Sequence, residues 1–314
     1  VDLSIVIPVY NEVDNLEALY REIGDSLAGL ERDYEILFID DGSGDGSLAK
    51  LKRIRASDPA VKLISFRKNF GQTAALCAGF DHARGDVVVT MDADRQNDPA
   101  DIPRLLARID EGYDLVAGWR YDRKDKWLSR RLPSVLANRL ISWATDVKLN
   151  DYGCTLKAIR REVVENITLY GELHRFIPAI ASWMGVRIAE VKVNHRPRVA
   201  GSSKYGISRV IRVLLDLVTV KFLLSYSGRP LQFFGLPGLL SGTVGGLMAA
   251  YLSFQKLVFD MPLGDRPLLL LAVLLIIVGI QFIVFGLLGE LQIRTYHESL
   301  NKPIYFIREK DGLD

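Results

Sequence analysis

Two long runs without a single charged residue constrain this chain more than any other feature. Residues 231–254 and 268–289 contain no Asp, Glu, Lys or Arg, and the second is broken only by Gln281. Each reaches the roughly 20 residues an α-helix needs to cross a hydrocarbon core. A helix buried in a soluble core is the other use for such a run, but two in succession with a short connection favour a membrane hairpin. Gly238, Gly242 and Gly246 recur at every fourth position, a spacing that lets helices approach closely in lipid. Arg209, Arg212, Lys221, Arg229, Arg294 and Lys302 flank the outer ends, whereas the connection sets Lys256 and Arg266 against Asp260 and Asp265. The positive-inside rule then places both outer ends in the cytoplasm.

The first 120 residues follow another pattern. Short apolar runs at 3–8, 35–39, 61–66, 86–91 and 115–118 alternate with helical spacing at 14–29, 47–56, 72–83 and 99–111. In the first helix Leu16, Leu19, Ile23 and Leu27 form one apolar face. The alternation predicts an α/β fold with a parallel, doubly wound sheet, whose ligands bind at the carboxyl ends of the strands. Two basic amphipathic helices are expected next. One covers 130–148, with Leu132, Leu136, Leu140, Trp143 and Val147 on its apolar side, and the other covers 205–229. The first suits either a membrane surface or a face of its own domain.

The formal net charge is only +2, which gives no footing for nucleic-acid binding. Cys77 and Cys154 are too few for a disulfide framework and suit a reducing compartment. The opening Leu3-Ser4-Ile5-Val6-Ile7 lacks the flanks of a signal peptide, so the N-terminal domain is expected in the cytoplasm. His82, His174, His195 and His297 have no metal-cluster spacing and are read as structural.

Polar clusters follow several of the strands. Asp92-Ala93-Asp94, with Arg95-Gln96 behind it, comes directly after an apolar strand. Carboxylates there stand on a rigid base and face the ligand crevice. Paired with phosphate oxygens they suit a hard divalent cation, Mg²⁺ or Mn²⁺, which neutralises a departing diphosphate. Gln96 adds a carbonyl oxygen. Pro8-Val9-Tyr10-Asn11-Glu12 offers a ring to stack on a base and a carboxylate to accept from base or ribose. In Asp40-Asp41-Gly42-Ser43, Asp41 is an acceptor for a base N–H and Gly42 permits the turn; a plain turn with a helix cap has the same residues. Asp151-Tyr152-Gly153-Cys154 is a fourth cluster. His195-Arg196-Pro197-Arg198 and Gly201-Ser202-Ser203-Lys204-Tyr205 put cations just before the second amphipathic helix, where a lipid phosphate would arrive.

Together these motifs resemble the family 2 glycosyltransferases of the polyprenyl-phosphate class. That class includes dolichyl-phosphate mannose synthases, bactoprenol glucosyltransferases and undecaprenyl-phosphate formamido-arabinose transferases. The resemblance extends through Arg67-Lys68-Asn69-Phe70-Gly71 and Leu288-Gly289-Glu290, and Asp151 to Lys157 looks most like the arabinose type. It implies a GT-A (Rossmann-like) catalytic domain with amphipathic interface helices and a C-terminal two-helix transmembrane hairpin. It also implies inverting transfer from a nucleotide-sugar, UDP favoured over GDP, to a polyprenyl phosphate such as undecaprenyl phosphate. The product would serve cell-envelope glycosylation or lipid A modification.

By the same resemblance Pro8, Tyr10, Glu12, Ile39 and Asp41 hold the nucleoside, and Asp92, Ala93 and Asp94 the diphosphate region. Asp94 and Gln96 ligate the metal. Arg120, Arg198 and Lys204 lie near the donor and acceptor phosphates, and Arg131 and Ser134 touch the lipid phosphate. Arg95 and Asn97-Asp98-Pro99 depart from the family pattern beside the donor pocket, which leaves the sugar open.

A phosphate acceptor is largely dianionic at neutral pH, so a strong base is not required, and Asp151 is a candidate either as base or as a positioning group. Two other functions are carried as alternatives. A processive polysaccharide synthase would bring a Gln-x-x-Arg-Trp motif, which the sequence lacks. A non-catalytic scaffold would not need Asp92, Asp94 and Gln96.

The expected organisation is a cytoplasmic catalytic domain 1–204, an interface helix 205–230, the hairpin 231–291 in the inner membrane and a cytoplasmic tail 292–314. The run Pro303-Ile304-Tyr305-Phe306-Ile307 is expected to add a strand to a neighbouring protomer, in a homo-oligomer such as the tetramers of relatives.

Overall fold

Five apolar runs become five strands, and three more strands join them. The computed structural model describes residues 1–121, 142, 147–167, 169, 173–197, 230–262, 267–299 and 305–313. In chain order the strands are β1 (Leu3–Val9), β2 (Tyr34–Asp40), β3 (Val61–Phe66), β4 (Val87–Thr90), β5 (Leu115–Arg120), β6 (Lys157–Arg160), β7 (Ile188–Val193) and β8 (Ile307–Asp311). The helices are α1 (Leu16–Leu27), α2 (Ser47–Ser57), α3 (Gln72–His82), α4 (Ile102–Asp110), α5 (Arg161–Glu165), α6 (Ile177–Ser182), α7 (Pro230–Phe259) and α8 (Pro267–Ser299).

All eight strands form one sheet in the order β7-β5-β6-β4-β1-β2-β3-β8. The five strands expected in the first 120 residues run in one direction, and the later strands make the sheet mixed. β1 to β4 are parallel, but β6 enters antiparallel between β4 and β5, and β8 pairs antiparallel with β3. Lys157-Ala158-Ile159-Arg160 is too short and too charged at its ends to read as a strand on its own, and only its two neighbours make it one. β5 runs to Arg120, two residues past its predicted end, because β7 pairs with it along its whole length.

Strand side chains alternate between two faces. On one face Leu3, Ile5, Ile7 and Val9 join Leu16, Leu19, Ile23 and Leu27 of α1, Leu51 and Ile54 of α2, and Ile102, Leu105, Leu106 and Ile109 of α4. The four buried positions of α1 are the four its spacing predicts. Burying each such Leu or Ile contributes about 1.5–3 kcal/mol. The other face packs on α3.

Two compact units divide the chain, Val1–Val220 with Pro303–Asp314, and Lys221–Lys302. The C-terminal residues thus belong with the sheet. Tyr305 donates to Asp81 Oδ2 at 2.7 Å and stacks on Phe66, while Glu309 pairs with Lys52 at 2.5 Å. Of the run 303–307 expected to pair with a neighbour, 303 and 304 lie outside the described residues, Tyr305 and Phe306 pack on Phe66 and Phe70, and Ile307 opens β8, which covers the β3 edge of its own sheet.

The second unit holds α7 and α8. Phe234–Phe259 and Pro267–Gly289 are long and apolar enough to cross a membrane, and only 17% and 11% of their most apolar windows is buried, unlike a soluble core helix. Their contact runs through small residues. A Cβ on Gly238 would fall 2.8 Å from the Gly279 carbonyl oxygen, and one on Gly245 2.7 Å from that of Ala272. The seam therefore passes through Gly245 rather than the predicted Gly246, which faces open space; the 3.6-residue period turns a strict every-fourth pattern away from the partner.

Candidate active site

The motifs converge at one edge of the sheet. β1, β2, β4 and β5 all end there, β6 begins there, and β7 leads from there into 194–197. This is the edge at which a doubly wound sheet binds ligands.

At the β1–β2 end the loops are stitched together. Asn11 N donates to Ser43 Oγ at 3.0 Å, Gly44 N to Asn11 Oδ1 at 2.9 Å, and Glu12 N to Ser47 Oγ at 3.0 Å. Glu12 also accepts from Asn15 Nδ2 at 2.6 Å, and Tyr10 is 41% exposed. Asp41 turns away from solvent and accepts from Phe70 N at 2.6 Å and Gly71 N at 2.9 Å. Burial pushes its carboxyl up, against the pull of those two amides. It therefore holds the turn 67–71, a role the sequence did not show. Gly42 makes this possible. Its φ is +69°, and a Cβ there would meet Lys68 C at 2.5 Å. Ile39 is fully buried and packs toward α3, so its side chain lies beneath the crevice.

The β4 end carries the carboxylate pair. Asp92 accepts from Gln72 Nε2 at 2.7 Å and from Thr155 Oγ1 at 2.8 Å. Its backbone N donates to Asn97 Oδ1 at 3.2 Å, and Gln96 N to Asp94 Oδ1 at 3.1 Å, so the loop is closed on itself. Ala93 and Asp94 are buried, and the small side chain at 93 fits the core against α1 and α4. Burial first, then the charge of Asp94, push the Asp92 carboxyl up to about 6; Thr155, Arg120 and Lys157 pull the other way. Burial and the neighbouring carboxylate thus outweigh Arg120 and Lys157 at Asp92. Among the described residues no group of three or more His, Cys, Asp or Glu gathers. A pair that leaves room for phosphate oxygens fits a hard divalent cation better than a closed protein cage.

Beside them Arg120 and Asp151 form a two-pronged ion pair. Nε donates to Oδ2 at 2.6 Å and Nη2 to Oδ1 at 2.9 Å, with Gly153 N on Oδ1 at 3.1 Å. Asp151 is only 3% exposed. Burial alone would lower the Arg120 pKa, but the Asp151 hydrogen bonds and charge more than offset it, and the guanidinium stays charged. Behind this pair Lys157 is buried and donates to the Cys154 carbonyl; burial lowers its pKa.

A small pocket is lined by Pro8, Gln72, Thr90, Asp92, Thr155, Lys157 and His174. His174, read as structural from sequence, stands in it with Nδ1 2.8 Å from Thr73 Oγ1. Gln72 and Thr155 were also not singled out. Gln72 directly follows the 67–71 motif and Thr155 lies within the Asp151–Lys157 run, so position offered a hint for both; nothing local marks His174. Arg131, Ser134, Arg198 and Lys204 lie outside the described residues, as do 205–229 and nearly all of the predicted 130–148 helix.

Comparison with known proteins fits this arrangement. Residues 4–168 match the family model described as glycosyl transferase family 2. The chain is 40% identical over 312 residues to the dodecaprenyl-phosphate galacturonate synthase of Rhizobium johnstonii, covering 98% of this chain and 92% of the relative. Two solved structures share the fold. One is glucosyl-3-phosphoglycerate synthase from Mycobacterium tuberculosis in complex with Mn²⁺, UDP and glucosyl-3-phosphoglycerate, with TM-score 0.54, 19% identity, and 71% and 79% of the two chains covered. The other is mannosyl-3-phosphoglycerate synthase from Rubrobacter xylanophilus, with TM-score 0.54, 17% identity, and 70% and 74% covered.

Proposed function

The chain belongs to glycosyl transferase family 2, and from that premise we propose that it transfers a uronic acid, galacturonate foremost, from a UDP-sugar to a polyprenyl phosphate at the cytoplasmic face of a membrane. The observation that carries this is the Asp92–Asp94 pair set beside the Arg120–Asp151 pair at the carboxyl edge of the sheet, in a chain alike over 98% of its length to a galacturonate synthase acting on a polyprenyl phosphate.

Tyr10 and Glu12 hold the nucleoside, and Asp41 shapes that end of the site through the 67–71 turn. Asp94 and Gln96 would hold a divalent cation, Mg²⁺ or Mn²⁺, which when bound would offset the charge of a departing diphosphate. Asp92 is oriented by Gln72 and Thr155 toward the same region. A phosphate acceptor arrives as an anion and is its own nucleophile. The difficulty is bringing it up to a second anion, which cations in fixed positions relieve. Arg120 is such a cation, and Asp151 aims it. With both Asp151 oxygens taken by Arg120, the positioning role is favoured over that of a base. Arg198, Lys204, Arg131 and Ser134 are assigned to the acceptor phosphate.

The chain segments before and after the apolar pair belong to one compact unit, with β8 paired to β3. This supports a hairpin that starts and ends on one side of the membrane, and the flanking cations favour the cytoplasm for that side.

The test is a panel of UDP-galacturonate, UDP-glucose, UDP-galactose and GDP-mannose, each offered with dodecaprenyl or undecaprenyl phosphate and read by mass spectrometry of the lipid. A single hexuronate on the polyprenyl phosphate is expected. A neutral hexose as the preferred product would overturn the sugar, and labelled polymer would favour a processive synthase.

A further inference from the structure

Glu22 stands on α1, outside every motif of the donor site, yet its carboxylate joins two of the loops that build it. Its Oε1 pairs with Arg95 Nη2, and its Oε2 with Arg196 Nη1 at 2.7 Å. Arg196 reaches on to Asp98 Oδ1 at 2.6 Å, whose other oxygen accepts from Asn194 Nδ2 at 2.9 Å. The chain Arg95–Glu22–Arg196–Asp98 thus alternates in sign, and its side chains are 11–34% exposed, shielded enough for charge to count. The backbone repeats the link. Arg196 N donates to Gln96 O at 3.0 Å, Asn97 and His195 form an antiparallel bridge, and Asn194 N donates to Asp101 Oδ2 at 2.6 Å.

Arg95 has φ +59°. A non-glycine residue keeps that conformation only where its surroundings hold it, and among the described contacts the hold on its side chain is Glu22. The residue so held sits between Asp94 and Gln96. Arg196, at the other end, is two residues before Arg198. Resting on the assignment of Asp94 and Gln96 to the metal and Arg198 to the acceptor phosphate, we infer that Glu22 is a positioning residue that locks loop 94–98 to segment 194–197. The loop that meets the donor diphosphate and the segment that leads to the acceptor cations then keep one register.

The full-length protein in detergent tests this with Glu22→Gln, which keeps the shape and removes the charge, with Arg196→Gln and with the double variant. Hydrogen exchange should quicken in peptides covering 94–98 and 194–197 together, with β2 and β3 peptides unchanged. The dissociation constant for Mn²⁺ with UDP should rise about tenfold, as for groups that orient metal ligands, and the KM for polyprenyl phosphate should rise with it. The double variant should be little worse than either single one. A purely structural Glu22 would lower the unfolding temperature and leave Mn²⁺·UDP binding as in the wild type, which overturns the inference; so would faster exchange in only one of the two segments. A wild type that transfers no sugar to polyprenyl phosphate would instead defeat the proposed function, while exchange and Mn²⁺·UDP binding still judge Glu22.

Discussion

Arg120 and Asp151 meet edge to edge, two guanidinium N–H groups on the two carboxylate oxygens, with 2.6 and 2.9 Å between donors and acceptors. Such a fork fixes the cation in direction as well as in place. A carboxylate engaged in this way is a poor proton acceptor, which shifts the chemical burden from a base to placed positive charge.

Asp151→Asn keeps one acceptor for Arg120 and loses the charge. It should lower kcat about 10- to 100-fold with UDP affinity nearly unchanged, and it should leave the pH at half-maximal rate where it was. Asp151→Ala leaves a buried cation unpaired and should cost about 3–5 kcal/mol of stability. Steady-state kinetics against pH, with denaturant unfolding of both variants, checks this. A shifted pH profile would return Asp151 to the role of base.

Asp94→Ala should reduce transfer more than about 100-fold, beyond the effect of losing a group behind a ligand. The fold should persist: the variant loses the Gln96 N bond to Asp94 Oδ1, but Asp92 N on Asn97 Oδ1 and Arg196 N on Gln96 O still tie the loop. Circular dichroism and turnover in a Mn²⁺ series, read together, decide the point; turnover like the wild type at any Mn²⁺ level would remove Asp94 from the metal.

Asp92 makes the site sensitive to pH. Its folded pKa is raised to about 6, so its relative stabilisation is full below the unfolded value, about 4, and is lost as pH rises through about 6. Without metal the first unit should thus lose stability across that window. Divalent cation should restore it, and apparent Mn²⁺ affinity should weaken as pH falls below about 6. Thermal unfolding with and without Mn²⁺ across this range gives the answer; a gap between the two curves that does not grow with pH would count against the pair as a metal site.

Gly42→Ala puts a Cβ 2.5 Å from the Lys68 carbonyl carbon at a positive φ. The turn 67–71 must shift, at about 1–3 kcal/mol, and it takes the Phe70 and Gly71 amides away from Asp41. UDP binding should weaken along with stability. Calorimetric titration of UDP against Gly42→Ala is the check, and unchanged affinity would separate the turn from the nucleoside site.

Removing residues 303–314 should uncover β3 as an open edge and turn the protein toward self-association. Light scattering in detergent should show mass rising with time and concentration. A truncated protein that falls to a smaller, discrete mass would point to the C-terminal strand as an assembly element.

Much of the catalytic unit was legible because local pattern decided it. The α1 stripe, the run of β4 into Asp92 and the strand–helix alternation all rest on spacings of two to four residues. β6 and β7 were not legible, since Lys157–Arg160 and Ile188–Val193 are strands only beside β4 and β5. His174 was missed for the same reason, being 101 residues from the Thr73 it meets.

The amino-acid sequence by itself determined the class of molecule, namely two apolar helices long enough for a bilayer, a sheet edge bearing Asp92 and Asp94, and cations on the outer flanks of the apolar pair. These follow from composition and period, which act over one element at a time. Tertiary structure alone decided what each polar group does. Asp151 grips Arg120, Asp41 grips the 67–71 turn, and Ile307–Asp311 closes its own sheet. Hydrogen bonds have directions and reaches of about 3 Å, and a one-dimensional pattern does not encode which distant groups will come within that reach.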